Sequence, residues 1–172
     1  MICVFSGGSG SGKSELAEKC AIRLAESRKG GLYYYATMRV WDKEGERRVE
    51  KHRRQRAGRG FVTVECPSYL DTEPSGGVIL LECLSNRLAN AMFCDRDEDP
   101  AGVILGEVKA LAEKNSVVIV TNEVFSDGAE YDAETERYID ILGRLNCELC
   151  RMAELVVESV YGSPVVHKGE LV

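Results

Sequence analysis

No apolar run in this sequence comes near the roughly 20 residues that cross a membrane as a helix, so no membrane span is expected. Met1-Ile2-Cys3-Val4-Phe5 passes straight into Gly and Ser with no basic stretch ahead of it, and no signal peptide is read there. Histidine is scarce, with two in 172 residues, and there is one Trp. The N-K-x-D motif by which regulatory GTPases read guanine is absent. Asp140-Ile141-Leu142-Gly143 matches their D-x-x-G element, but it lies inside a helical pattern and is set aside. Internal repeats and low-complexity tracts are missing, which argues against solenoids and disordered arrays. Cys147-Glu148-Leu149-Cys150 has no second C-x-x-C to complete a four-thiolate zinc site, so both cysteines are read as ordinary helix residues.

The rest of the composition is that of an ordinary globular chain, 44% hydrophobic and 29% charged. Its length suits one domain over 1–172. Seven cysteines, an odd number, with no signal peptide predict free thiols in a reducing cytoplasm. The net charge of −6 argues against a dedicated nucleic-acid binder. The charge is uneven, however. Residues 43–59 hold eight Lys or Arg against three Glu, a segment set to meet anions.

Ile2–Phe5, Val78–Leu81 and Val117–Val120 are short and wholly apolar, as strands buried on both faces are. Leu32–Ala36 and Phe61–Glu65 read as further strands, and Leu155–Val160 and Val165–His167 as terminal ones. Helical spacing follows from Ser14, over 85–93, through Ile104, Val108 and Leu111, and over 133–153. The charged segment 42–57 reads as helical in part, and 67–77 as loop with at most one helical turn. Strands alternating with helices predict an α/β fold, a mostly parallel sheet with helices on both faces.

Gly7-Gly8-Ser9-Gly10-Ser11-Gly12-Lys13-Ser14 fits G-x-x-x-x-G-K-[ST] in full. A loop between a strand and a helix can wrap a phosphate in its backbone N–H groups, and glycine permits the tight backbone this needs. The following helix aims its positive end at the same anion. Lys13 then meets the β- and γ-phosphates, and the Ser14 hydroxyl ligates Mg²⁺. The metal needs an acidic partner. Glu82 and Glu123 each end an apolar run, so each is placed at a strand's carboxyl end. Glu82 is preferred and Glu123 is its rival.

His52 stands in Arg48-Val49-Glu50-Lys51-His52-Arg53-Arg54-Gln55-Arg56. The cations around one imidazole favour its neutral, nucleophilic form and could hold the phosphates of a nucleotide under attack. His52 is therefore a candidate for a covalent phosphoramidate intermediate.

These blocks together resemble the bifunctional adenosylcobinamide kinase / adenosylcobinamide-phosphate guanylyltransferase family of cobalamin biosynthesis. The resemblance runs nearly end to end. The family's opening G-G-x-x-S-G-K-S is met by Gly7 to Ser14, and its Y-x-A-T by Tyr34-Tyr35-Ala36-Thr37. Its histidine block is met by Arg48, Val49, His52, Arg53, Arg56, Thr63 and Glu65. Leu80 to Ser85, Asn90-Ala91-Met92, Val120 to Val124, and Arg137, Tyr138, Asp140, Gly143 and Asn146 meet the remaining blocks in order.

The resemblance implies a RecA-like P-loop fold, a homotrimer, and nucleotide binding by Gly7, Gly8, Ser9, Gly10, Ser11, Gly12, Lys13 and Ser14. It places Thr37, Met38, Arg39, Arg53, Arg54, Gln55, Arg56, Glu65 and Glu82 along the GTP site and makes His52 the guanylylated nucleophile. It implies GTP and ATP as substrates, phosphorylation of adenosylcobinamide, and transfer of GMP to the product. The chain departs from the family where Phe125 to Glu130 replaces a Gly-rich stretch, where Arg56 to Phe61 carries one extra residue, and at Asn146-Cys147. The residues alone also fit a GTP-dependent P-loop kinase of another small-molecule hydroxyl, without a covalent histidine. A nucleotide-responsive binding protein using 43–59 fits them as well.

Overall fold

The computed structural model describes residues 1–171 except 41–44, 46, 48, 51–53, 55–57, 71–72 and 127. Seven strands form one sheet: β1 (Ile2–Ser6), β2 (Leu32–Ala36), β3 (Val62–Glu65), β4 (Val78–Glu82), β5 (Ser116–Val120), β6 (Leu155–Val160) and β7 (Ser163–Lys168). Their order is β3-β2-β4-β5-β1-β6-β7. Every pairing is parallel except β6 with β7. The helices whose bounds lie among the described residues include α1 (Lys13–Arg28), α2 (Leu84–Ala89), α3 (Pro100–Lys114) and α4 (Ala133–Met152). The expected mostly parallel α/β sheet is what forms.

The apolar runs become central strands because both of their faces are covered. On β1, Ile2 and Val4 face a core with Ile79, Leu81, Val117 and Ile119, roofed by Leu88, Ile104, Leu111 and Leu149 of α2–α4. Cys3 and Phe5 face the other way, with Leu80, Val118 and Val120, under Ala17, Cys20, Ala21 and Leu24 of α1. Burying a Leu or Ile side chain contributes about 1.5–3 kcal/mol, and these two layers outweigh any local propensity. Arg87 is the exception in an apolar layer. Its buried guanidinium donates to Glu107 at 3.2 and 3.0 Å and lies 5.5 Å from the Tyr69 ring centroid, tying α2 to α3.

The helix ends follow from short polar signals. The Asp99 carboxylate accepts from the Gly102 N–H at 3.0 Å beside Pro100, which opens α3. Asp132 accepts from the Glu134 and Thr135 N–H groups at 3.0 and 2.9 Å, which holds its carboxyl below the usual range. At the end of α1 it is Lys29, not Gly30, that takes the left-handed position, with φ 53°.

α2 does not run on to 93 as an α-helix, as its periodicity suggests. Asn90–Asp95 forms a π-helical turn instead. The wider turn brings Asn90 under the strand ends, where its amide donates to Thr37 O and Pro67 O, both at 2.8 Å. Asn90→Ala leaves both buried carbonyls without this donor. It is expected to cost about 1–2 kcal/mol, read from the urea midpoint.

Parallel pairing puts the carboxyl ends of β1, β2, β4 and β5 on one edge, where ligands of open α/β sheets bind.

Candidate nucleotide site

The loop Gly7–Gly12 leaves β1 at that edge and enters α1 at Lys13. It turns on positive backbone angles, with φ 71° at Gly10 and 90° at Gly12, the residue capping α1. Backbone bonds fold it: Ser11 N–H to Gly8 O at 3.2 Å and Leu16 N–H to Gly12 O at 3.2 Å. Glu123 N–H reaches Gly7 O at 3.0 Å from the end of β5. The opposite flank is held by the β6–β7 turn, where the Ser159 hydroxyl and Gly162 N–H donate to Ser11 O at 2.6 and 2.8 Å.

Gly7 has no room for a side chain. Its φ is 152°, and a Cβ there would lie 2.6 Å from Ser11 Oγ and 2.8 Å from Ser159 O. The second contact is backbone and cannot swing away. Gly7→Ala is therefore expected to cost about 2 kcal/mol by thermal unfolding and to weaken nucleotide binding, because Ser11 must shift.

Lys13 is 8% exposed and folds back over the loop, its Nζ donating to Gly8 O at 3.0 Å. Burial pushes its pKa below the ordinary lysine value, and the neighbouring Cys83 and Glu82 only partly oppose this. The cation is held half-desolvated where a polyphosphate would neutralise it.

Ser14 Oγ donates to Glu82 Oε1 at 2.5 Å. The other carboxylate oxygen, Glu82 Oε2, is buried with no hydrogen-bond partner, and so is Ser11 Oγ. A hydroxyl beside an unsatisfied carboxylate oxygen is a donor set suited to a hard divalent cation. Among the described residues no cluster of three or more His, Cys, Asp or Glu could hold a metal by itself. Glu123 is used differently. Its Oε1 accepts from Phe125 N–H at 2.9 Å and Ser126 Oγ at 2.8 Å, closing its own turn.

The other expected site residues are dispersed. Thr37 is fully buried, and its hydroxyl donates to Cys83 O and accepts from Cys83 N–H, both at 2.9 Å, so it clamps β2 to β4. Met38 is half-buried beside it. Arg39 pairs with Asp95 and donates to Ser68 Oγ at 2.6 Å. Glu65 ends β3 on the same edge, opposite Ala36. Arg54 pairs with Glu50 at 2.8 Å on an exposed surface. His52, Arg53, Gln55 and Arg56 lie outside the described residues. The chain enters their segment at the carboxyl end of β2. It returns at Arg59, which pairs with Glu18 on α1.

A polar network at the strand ends has no place among those expected site residues. Asn122 Nδ2 donates to Ser85 Oγ at 2.6 Å, Thr121 Oγ1 to Asn146 Oδ1 at 2.7 Å, and Tyr138 OH to Ser85 O at 3.2 Å. Burial raises the Cys83 thiol and, with help from Cys83, pushes the Tyr138 hydroxyl up to about 12, so both stay neutral at pH 7. The usable signal was position, since each residue follows an apolar strand or faces one from α4. The bracing by Ser159 and Gly162 carried no such signal. Cys147 and Cys150 are free and lie within α4, as ordinary helix residues do. No helix among the described residues is long and apolar enough to cross a membrane.

The sequence model of the family described as cobinamide kinase / cobinamide phosphate guanyltransferase matches residues 3–166. The chain is 33% identical over 174 residues to the bifunctional adenosylcobalamin biosynthesis protein CobP of Pseudomonas aeruginosa, with 95% of each chain covered. It is 31% identical over 188 residues to the bifunctional adenosylcobalamin biosynthesis protein CobU of Escherichia coli, covering 98% of this chain and 100% of the relative. Among solved structures, it is similar to the flagellar accessory protein FlaH of Methanocaldococcus jannaschii, at a TM-score of 0.47 and 12% identity over 98% of this chain and 78% of that one.

Proposed function

The chain belongs to the cobinamide kinase / cobinamide phosphate guanyltransferase family, and from that premise we propose that residues 1–172 act as one nucleotide-binding domain performing both reactions. In the first, the hydroxyl of adenosylcobinamide takes the γ-phosphoryl group of GTP or ATP. In the second, His52 attacks the α-phosphorus of GTP, a P–N bond forms, and pyrophosphate leaves. The phosphate oxygen of adenosylcobinamide phosphate then displaces the histidine, giving adenosyl-GDP-cobinamide. The observation that carries the reading is the convergence of Lys13, Ser14 and Glu82 at the carboxyl edge of the sheet.

The loop amides and Lys13 hold the phosphates, so that charge developing on them meets fixed donors in a partly dry site. Ser14 and Glu82 would hold Mg²⁺, which neutralises phosphate oxygens when bound. The family resemblance assigns Arg39, Arg53, Arg54 and Arg56, with Thr37, Met38, Gln55 and Glu65, to GTP binding, and we infer the same roles in this chain. The free thiols suit a cytoplasmic enzyme. A homotrimer is the assembly we infer.

Incubation with Mg²⁺ and GTP labelled at the α-phosphate, followed by denaturation, tests this reading. Retained label that is acid-labile and alkali-stable is expected, together with turnover of adenosylcobinamide. Normal GTP binding with neither label nor turnover would overturn it in favour of a P-loop kinase acting on another hydroxyl.

A further inference from the structure

β6 and β7 are joined by a two-residue turn, Tyr161-Gly162, flanked by the pair Val160 and Ser163. Both residues have positive φ, 50° and 81°. Turns of this kind favour Asn-Gly, and tyrosine in the first place works against its own backbone preference. Among the described residues nothing repays that cost. Tyr161 is 99% exposed, so its ring packs on no neighbour. A local rule broken without a folding gain points to a functional position.

The turn is fixed against the phosphate loop. Gly162 N–H and the buried Ser159 hydroxyl both hold Ser11 O. A Cβ on Gly12 would lie 3.2 Å from Gly162 Cα, which measures how closely the two backbones approach. The sheet order supplies a direction. Lys13 and Ser14 work toward Glu82 on β4, two places from β1 on one side. The Tyr161 turn lies on the other side of β1, beyond β6. The turn is therefore on the flank of the loop away from Glu82, open to the end of a nucleotide opposite its terminal phosphates and cation.

We propose that Tyr161 is a stacking platform for the purine base of the nucleotide held by the phosphate loop. The proposal rests on the nucleotide reading given above and adds the group that meets the base. An aromatic face stacks on any base without reading its edge, so GTP and ATP should both use it. Tyr161 thus supplies affinity for purine nucleotides and leaves the choice of guanine to other contacts.

The test compares Tyr161→Asn and Tyr161→Phe with the wild type, titrating GTP and inorganic tripolyphosphate by calorimetry and recording ligand-free melting curves. Asn suits the positive φ, so the Asn variant should melt no lower than the wild type. It should bind GTP at least about fivefold more weakly and tripolyphosphate unchanged, while Phe retains wild-type GTP affinity. Wild-type GTP affinity in the Asn variant would overturn the proposal. So would an equal loss for tripolyphosphate, which would mean that the turn acts by bracing the loop. A wild-type protein that binds neither ligand would overturn the nucleotide reading itself, and the stacking role with it.

Discussion

His52→Ala should retain no label from α-labelled GTP, and its guanylyl transfer should fall by at least about a thousandfold. In the proposed mechanism the step at risk is covalent. Without the imidazole no P–N bond can form, and direct attack by one phosphate on another brings two anions together. Lys51, Arg53, Arg54 and Arg56 flank the histidine in sequence, a supply of counter-charges for the phosphates in the proposed transfer. Phosphorylation of adenosylcobinamide does not use the imidazole and should persist. The two half-reactions, assayed separately, therefore distinguish loss of the nucleophile from loss of the nucleotide site. Equal loss of both in His52→Ala would show that His52 serves the site as a whole and is not the nucleophile.

Lys13→Met should lower both activities by about 10²- to 10³-fold without weakening the fold. Lys13 is buried, and its hydrogen bond is to the carbonyl of Gly8. In the ligand-free protein the charge is a cost, since burial lowers its pKa from 10.5. For a base whose folded value is lowered, that cost is fully present below the folded value and fades as pH rises toward 10.5. Wild-type stability should thus gain on the variant as pH climbs through that window. Near neutral pH the variant should melt at the same temperature or higher, because Met keeps the packing of the stem and removes the charge. Nucleotide would reverse the order, stabilising the wild type far more. A variant that melts well below the wild type in the absence of ligand would contradict this account.

The fold was legible where burial alone decides structure. Ile2–Phe5, Val78–Leu81 and Val117–Val120 admit no reading but strands covered on both faces, and all three lie at the centre of the sheet. The phosphate loop was legible because its chemistry is local in sequence. Glu82 is preferred to Glu123 in the sequence, but position alone leaves the rival standing, since each ends an apolar strand. The distinction lies in the chain that follows Glu123, where Phe125 N–H and Ser126 Oγ engage its carboxylate, while Glu82 faces Ser14. The π-helical turn at Asn90–Asp95 was hidden because Leu88 and Met92 are spaced for an α-helix; what widens the turn is the reach of Asn90 to two distant carbonyls. Thr37 and Arg39 show the same limit. Their partners, Cys83 and Asp95, lie 46 and 56 residues away.

The brace under Ser11 gives the chain a temporal order. Ser159 follows Ser11 by 148 positions, so it is always made after the loop that it braces. Until that stretch has been added, the loop has its motif complete and its brace missing. The brace is completed only when β6 and β7 close beside β1, so a fully braced loop belongs to a chain whose sheet is already assembled that far.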